Sequence, residues 1–293
     1  MTMTSRNLIG ATTAFVLGAA TLAAPLATPL LAQQDLGRDG TSWRWDGALP
    51  SGGSVRLYNI NGALHFTASP DASVHVQAEK HVGSGGDPRT VHYAVVRDGN
   101  NVTICALWND DATCDADGMH GRQRMNDDNN GRRRNVTAEI SVRVPAGVSV
   151  RGSTVNGEVS AERIASDVRV NTVNGTVRVA QVTGEVRAQT VNGDVTVDTR
   201  GGPVSAQTVN GDVTASFANQ GSGDMRFRTV NGDIEVNGPS ALNADVEIST
   251  VNGSIDSKYA LNFDRRRRHA DGIVGKGGDR LTATTVSGSV TLR

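Results

Sequence analysis

The sequence predicts an all-β fold: a β-solenoid of 18-residue coils, each made of two nine-residue strand-turn blocks, with an N-terminal β-region before it. Three observations predict this fold. The tetrapeptide Thr-Val-Asn-Gly recurs along the chain, apolar residues alternate with polar ones within the blocks, and valine dominates the apolar residues. With only 3 Trp, 3 Tyr and 5 Phe among 293 residues, thin layers of β-structure are favoured over a thick globular core.

The first element, residues 1–32, is typical of a secretory signal peptide. A positive charge precedes an almost entirely apolar or small stretch at 8–26. A membrane anchor is the alternative, but Pro25 and Pro29 interrupt a stretch that is already short for a span of about 20 residues. The mature chain is therefore expected to begin near Gln33, to lack a membrane span, and to be exported to the periplasm or the cell surface.

The mature chain then divides according to where the repeats begin. Residues 33–50 are expected to be an N-terminal linker and 51–150 an N-terminal β-region. A polar insertion at about 105–135 interrupts this β-region. The repeat domain is expected to cover 151–293, with a loop insertion at 258–283.

Cys105 and Cys114, within the polar insertion, are the only cysteines. In an oxidising compartment, two cysteines this close in sequence are expected to form a disulfide. A zinc site would need more ligands than these two and the distant His120 provide. Redox catalysis more typically uses the Cys-x-x-Cys spacing, which is absent.

Thr-Val-Asn-Gly is the unit that defines the coils. It begins at Thr154, Thr172, Thr190, Thr208, Thr229 and Thr250, and a variant begins at Thr285. The first three intervals are 18 residues, the next two are 21 and the last is 35, so extra residues are expected in loops while the coil persists. Stacked coils of two blocks pair equivalent strands in parallel and build a continuous core. The alternative is an antiparallel meander with Asn-Gly hairpins, which does not require the motif on every second block.

The motif's Asn and Gly are expected to form a structural turn ladder along one edge, since Gly provides backbone freedom and Asn tolerates left-handed conformations. The ladder comprises Asn156, Gly157, Asn174, Gly175, Asn192, Gly193, Asn210, Gly211, Asn231, Gly232, Asn252 and Gly253.

The seventh and ninth positions of the blocks are apolar, and so is the third position in every block except the one that contains Arg200, so these positions are expected to face the core. The expected core includes Val155, Val159, Ala161, Ile164, Val168, Val170, Val173, Val177, Val179, Val182, Val186, Ala188, Ile234, Val236, Val246, Ile248, Val251 and Ile255. Val290 is expected near the open end of the stack, where fraying weakens packing.

The motif appears once more upstream as Asn-Ile-Asn-Gly-Ala-Leu-His-Phe at 59–66, and Val-Pro-Ala-Gly at 144–147 leads into the repeats. With these residues the chain resembles the bacterial putative-adhesin domain family of unknown function, whose members pair an N-terminal β-region with Val-Asn-Gly coils. The resemblance covers residues 50–293. It implies a β-solenoid at the cell envelope, and it supplies no catalytic residues.

Catalytic and cofactor motifs are absent from the sequence: Gly-x-Ser-x-Gly, Gly-x-x-x-x-Gly-Lys and His-Glu-x-x-His do not occur. The six histidines are dispersed and are expected at the surface. The protein is therefore predicted to be non-enzymatic and to need no cofactor.

The aspartates also fail to predict a metal site. The Asp-rich insertion could offer calcium ligands, but Asp115-Ala-Asp-Gly lacks the preceding aspartate and the later glutamate of a calcium loop, so a disordered polar loop is expected.

The aspartates that follow the motif glycine are expected to repel one another across coils, with nearby arginines offsetting part of the charge. These aspartates are Asp194, Asp212 and Asp233, and the arginines are Arg169, Arg178 and Arg187.

The predicted function is an exported envelope scaffold or adhesin that contacts an envelope protein, a glycan or an anionic surface. The alternative is binding of anionic polymers or lipid head groups by two basic clusters, Arg132, Arg133, Arg134 and Arg265, Arg266, Arg267, Arg268. A third hypothesis is ice binding by a Thr-x-Asn face. Because 29 basic side chains balance 30 acidic ones, a nucleic-acid partner is not expected.

Overall fold

The computed structural model describes residues 33–121, 135–200, 202–217, 219 and 222–293. These residues form a 13-stranded sheet, named sheet A, an 11-stranded sheet, named sheet B, and a two-stranded hairpin. The sheets enclose one continuous apolar core of Val, Ala, Ile, Leu and a few aromatic side chains. Among the described residues the one helical segment is the 3-10 turn Pro88–Thr90, and no helix there is long and apolar enough to cross a membrane.

The strands of the N-terminal region are β1 (Gln33–Leu36), β2 (Ser42–Ala48), β3 (Ser54–Tyr58), β4 (Leu64–Ala68), β5 (Ser73–Val82), β6 (His92–Asp98), β7 (Asn101–Leu107), β8 (Thr113–Cys114), β9 (Met119–His120) and β10 (Val136–Val144). The strands of the regular coils are β11 (Ser149–Ser153), β12 (Val159–Glu162), β13 (Val168–Asn171), β14 (Val177–Val182), β15 (Val186–Gln189), β16 (Val195–Thr199), β17 (Val204–Gln207), β18 (Val213–Phe217), β19 (Met225–Arg228) and β20 (Ile234–Asn237). The C-terminal strands are β21 (Ala244–Asn252), β22 (Ile255–Ser257), β23 (Asn262–Phe263), β24 (His269–Val274), β25 (Arg280–Ser287) and β26 (Val290–Leu292).

Parallel pairing at the repeat interval confirms the predicted β-solenoid and excludes the meander. In sheet A, Val168 of β13 pairs with Val186 of β15, and sheet B pairs Val177 of β14 with Val195 of β16 in the same way. Odd-numbered strands from β11 to β19 follow one another in sheet A, and even-numbered strands from β12 to β20 do so in sheet B. Each coil therefore contributes one strand to each wall.

The stack begins earlier in the chain than residue 151. β3 and β4 form a coil that pairs in parallel with β11 and β12, and Asn61 stacks on Asn156. The segment 33–50, expected as a linker, contains β1 and β2 instead. β2 lies against β5 and β1 against β6, both antiparallel, so these strands cover the N-terminal end of the stack.

Both ends of the stack are interleaved, which means that one coil there lies between two coils that do not directly precede and follow it in the chain. In sheet A, β3 lies between β7 and β11, and in sheet B, β4 lies between β10 and β12. In the same way, β25 lies between β19 and β21 in sheet A, and β26 lies between β20 and β22 in sheet B. Val290 consequently pairs with Ile234 on one side and Ile255 on the other, and it is 1% exposed. The prediction that Val290 lies at the open end is wrong, because the order of coils along the chain is not their order in the stack.

Candidate functional site

The corner where the chain passes from sheet A to sheet B contains the Thr-Val-Asn-Gly motif and is named the asparagine edge. Here each Asn side chain donates from Nδ2 to Oδ1 of the preceding Asn. These bonds join Asn156, Asn174, Asn192, Asn210 and Asn231, each at 2.9 Å. Asn252 lies outside this run, because the inserted strand β25 places Ser287 between Asn231 and Asn252.

Glycine is required at this edge because the coils approach closely. Gly193 has φ of +144°, and a Cβ added there would lie 2.2 Å from the carbonyl oxygen of Gly175. The asparagines do not take left-handed conformations, contrary to the sequence-based reason for them: the described non-glycine residues with positive φ are Arg163, Gln181 and Arg267. The asparagines instead form the side-chain ladder.

The motif's threonine, not its valine, faces the core. Thr190 is 5% exposed, and its Oγ1 donates to the carbonyl oxygen of Gly175 at 2.9 Å. The predictions for Val155, Val173 and Val251 as core residues are wrong, since these side chains are 38%, 37% and 54% exposed. The same arrangement removes the proposed ice-binding Thr-x-Asn face, because the threonine hydroxyls of all seven motifs are buried and donate to glycine carbonyls. These threonines are Thr154, Thr172, Thr190, Thr208, Thr229, Thr250 and Thr285.

The aspartates that follow the glycine take part in a second ladder. Asp194 Oδ1 accepts from the backbone N–H of Asp212 at 2.9 Å, and Asp212 Oδ1 accepts from that of Asp233 at 2.8 Å. Each carboxylate is therefore stabilised by an amide of the next coil, rather than by the arginines expected to offset its charge. Of those arginines, Arg178 pairs with Glu158 at 3.9 Å, whereas Arg169 lies on the outer face of sheet A.

The opposite corner, where the chain returns from sheet B to sheet A, is named the variable edge. Its connections differ from coil to coil, and the extra residues of the longer motif intervals lie here, between β18 and β19, between β20 and β21, and between β22 and β25. In two successive coils a residue with φ near +55°, Arg163 or Gln181, turns the chain. The expected insertion at 258–283 contains the hairpin β23–β24, which pairs antiparallel with β21.

The described part of the polar insertion, residues 105–121, packs on the outer side of sheet A at its N-terminal end. Cys105 and Cys114 form the predicted disulfide, with a Cα–Cα distance of 6.0 Å. Around it lies a second apolar cluster that includes Ala94, Val96 and Leu107. His92 shares the strand face of Ala94 and Val96 and is 3% exposed, so the expectation that all histidines lie at the surface is wrong for this residue.

The basic run Arg265–Arg268 forms the exposed turn between β23 and β24. Asp264 Oδ1 accepts from the backbone N–H groups of His269 at 3.0 Å and Arg268 at 2.6 Å, and these bonds hold the pKa of Asp264 below its usual value. The Arg267 guanidinium lies 4.3 Å from the ring centroid of Phe263. The other predicted cluster, Arg132–Arg134, and the predicted signal peptide lie outside the described residues.

Two further charged groups lie in the N-terminal region. His75 is hydrogen-bonded to Asp46 through Nδ1 and to Asp71 through Nε2, and these carboxylates raise its pKa, Asp46 most strongly. Burial lowers the pKa of Lys80 to about 8, although its Nζ donates to the carbonyl oxygen of Gly37 at 2.6 Å. His75 and Lys80 thus form hydrogen bonds to neighbouring strands or loops. In the part of the chain that is described, no three His, Cys, Asp or Glu residues lie close enough together to hold a metal ion.

The outer faces of the two walls differ in charge. On sheet A, an outward row contains Arg56, Arg151, Arg169 and Arg187 on four adjacent strands. The corresponding row of sheet B is mixed: it contains His65, Ser160, Arg178, Thr196, Thr214 and Glu235. Like charges are therefore concentrated on one wall.

Known proteins show the following similarities. A family model described as Toastrack DUF4097 matches residues 135–293, which is more than half of the chain. No curated protein matches this chain.

Solved structures with some similarity are a putative cell adhesion protein from Clostridium sporogenes, a putative adhesin from Bacteroides fragilis and a putative adhesin from Parabacteroides distasonis. The first has a TM-score of 0.38 at 9% identity and covers 86% of this chain and 98% of its own. The second has a TM-score of 0.37 at 13% identity, with 86% and 95% covered, and the third 0.27 at 11%, with 87% and 98% covered. TM-scores below 0.5 support no inference about this chain.

Proposed function

The chain belongs to the Toastrack DUF4097 family, and we propose that it is a non-enzymatic scaffold of the cell envelope that presents a repeated outer surface to a binding partner. The observation that carries this proposal is the stack itself. Equivalent side chains recur on adjacent parallel strands, about 4.8 Å apart, along the whole series of regular coils. Such a surface suits a partner that is itself extended and repetitive.

A second argument concerns how the polar side chains are used. Asn, Thr and Asp of the asparagine edge bond to the next coil, so their hydrogen-bonding capacity stabilises the stack. A catalytic centre usually combines a concave pocket with a nucleophile, base and orienting group, and these ladder residues do not have that arrangement. We infer a role in binding and support.

Export to the envelope is the remaining part of the proposal. The Cys105–Cys114 disulfide supports it, because disulfides persist in oxidising compartments and are rare in the cytosol. Fractionation of the native host followed by intact mass measurement tests it: the expected species is an envelope-associated chain that begins near Gln33. A full-length chain in the cytosolic fraction would contradict the localisation.

The scaffold role is tested with the mature protein immobilised on beads and incubated with purified envelope fragments of the host. Folded protein should retain envelope polysaccharide or an envelope protein, while the Gly193→Ala variant, in which a new Cβ would contact the Gly175 carbonyl oxygen at 2.2 Å, should retain less. Equal retention by both proteins, under conditions where circular dichroism shows the variant to be unfolded, would show adhesion without the stack and contradict the proposal. Absence of retention by the folded protein would overturn the scaffold proposal.

A further inference from the structure

In the outward row of sheet A, arginines of neighbouring strands pair directly with one another. Arg151 pairs directly with Arg56 on one side and Arg169 on the other, and Arg169 pairs in turn with Arg187. Ser205 follows Arg187, and Arg226 follows Ser205. The five arginines of this row, Arg56, Arg151, Arg169, Arg187 and Arg226, are named the arginine ladder.

Direct register places like charges side by side. Neighbouring strands are about 4.8 Å apart, and like charges directly opposite each other on a sheet are destabilising. Among the described residues the guanidinium groups of Arg151, Arg169 and Arg226 make no hydrogen bond or ion pair, whereas that of Arg187 pairs with Glu185. The ladder therefore has a cost for the fold that its own surroundings offset only in part.

The ladder also lines a depression in the surface. Its first four arginines, with Ser54, Ser149, Asp167 and Glu185, line an open groove of about 200 Å³ that runs across the strands. The polar insertion contacts the N-terminal end of this groove, where Arg56 Nη1 donates to the carbonyl oxygen of Ala116 at 2.6 Å. A ligand in the groove would lie along the solenoid axis and meet one guanidinium per strand.

We propose that the arginine ladder binds a linear acidic polysaccharide, with the carboxylates on one side of the polymer meeting guanidinium groups of the ladder. Guanidinium groups bind carboxylates through two parallel hydrogen bonds, and they are the preferred cation for such contacts. A sugar unit is similar in length to the strand spacing of about 4.8 Å, so the two repeats can stay in step. This inference rests on the scaffold function proposed above and names its ligand class.

The composition of the row favours a glycan over a nucleic acid. Proteins that bind single-stranded nucleic acid stack bases on aromatic side chains, and the ladder positions from Arg56 to Arg226 include no aromatic residue. The whole chain has a formal net charge of −1, whereas nucleic-acid-binding domains have a basic excess. Carboxylate groups on a sugar chain need neither feature.

The test compares two triple variants of the mature protein that remove the same charge from neighbouring coils. Arg151→Gln/Arg169→Gln/Arg187→Gln removes the centre of the ladder. Arg163→Gln/Arg178→Gln/Arg200→Gln removes three exposed arginines outside it. Binding to immobilised polygalacturonate, neutral dextran and a thymidine homopolymer is measured at two salt concentrations, and thermal unfolding reports folding.

The wild-type protein should bind polygalacturonate in preference to the other two polymers, and more weakly at high salt. The ladder variant should lose at least about tenfold in affinity, and the control variant less than about threefold, since scattered surface charges contribute little. The melting temperature of the ladder variant should equal or exceed that of the wild type, because like-charge contacts are removed.

Three results would overturn the inference: equal losses in both variants, tighter binding to the thymidine polymer, or no binding to any polyanion. A variant with Arg265–Arg268 replaced by serine separates the ladder from the basic turn, and it should bind polygalacturonate as the wild type does. The bead assay with envelope fragments keeps the two proposals distinct. If the ladder variant still retains envelope material there, the ladder inference fails and the scaffold proposal stands.

Discussion

The asparagine edge and the variable edge connect the same two sheets, but they differ in what fixes their shape. At the asparagine edge, three contacts recur in every regular coil: an amide ladder, a buried threonine hydroxyl and a close glycine approach. Among its described residues the variable edge has no such repeated set, and its connections carry the extra residues. The difference teaches that the repeated contacts between coils are concentrated at one corner, whereas the connections at the other corner vary in length from coil to coil.

The largest effect that sharpens this comparison is expected from Gly193→Ala. A Cβ would lie 2.2 Å from a backbone oxygen at a residue with φ of +144°, so a loss of about 3 kcal/mol in the free energy of unfolding is expected. Gly278→Ala is the control, because Gly278 has φ of +130° but open space around it. Denaturant unfolding of both variants separates the clash from the backbone strain, and similar losses would mean that close approach is unimportant.

Two buried threonines offer a matched pair with opposite expected signs. Thr190→Val removes a hydroxyl that donates to the Gly175 carbonyl, and we expect a loss of about 1 kcal/mol. Thr199 leads into the variable edge, is 1% exposed, and its Oγ1 has no hydrogen-bond partner among the described residues. Thr199→Val should therefore raise stability by about 1 kcal/mol. The melting temperatures of both variants check this prediction. If both rise or both fall, the conclusion that the Thr190 hydroxyl is hydrogen-bonded and the Thr199 hydroxyl is not would be contradicted.

The amide ladder is exposed to water, so the two bonds of one Asn side chain are together expected to contribute no more than the single bond of a buried threonine hydroxyl. Asn192→Val removes one bond to Asn174 and one to Asn210, each of 2.9 Å, and should cost about 1 kcal/mol. Thr196→Val, on the outer face of sheet B, is the control and should change stability by less than about 0.5 kcal/mol. Chemical denaturation measures both, and equal effects would remove the ladder as a determinant of the stack.

The smallest effect is expected at the variable edge. Gln181 has φ of 55°, a conformation that costs a non-glycine residue about 1–2 kcal/mol. Gln181→Gly relieves this strain but adds chain entropy to the unfolded state, so we expect a gain below about 1 kcal/mol. A clear loss in unfolding free energy would show that the Gln181 side chain stabilises this turn. The variable edge would then also depend on side-chain contacts, as the asparagine edge does.

The sequence predicted the coil length, the parallel pairing, the Cys105–Cys114 disulfide and the family resemblance, all of which are confirmed. These follow from exact repetition and from an isolated cysteine pair, which local patterns express well. The side-chain direction at the asparagine edge was mispredicted because two strand alternations meet at the corner. The alternation of β13 continues inward to Thr172, whereas counting back from β14 places Val173 inside.

The interleaved coils and the arginine ladder were harder to predict, for a different reason. Nothing in a strand's own residues says which neighbour it will pair with, and the Thr285 motif resembles the motifs that pair in chain order. The arginines of the ladder are 18 residues apart in the regular coils. Arg56 and Arg226 belong to the same row, but Arg56 pairs with Arg151 and Arg226 with Ser205 at sequence separations other than 18. Register had to be known before the row could be recognised.

The interleaving at the C-terminal end has a consequence for how the chain is made. Residues of β25 and β26 are synthesised after the strands on both sides of them, yet their position lies inside the stack, between β19 and β21 in sheet A and between β20 and β22 in sheet B. Until they arrive, β19 and β20 on one side and β21 and β22 on the other have unpaired edges, which are templates for association with other chains. Folding therefore cannot finish by simple addition of coils from the first residue to the last. Synthesis of β25 and β26 is the step that closes the stack, and chains that stop before these strands would retain exposed, aggregation-prone edges.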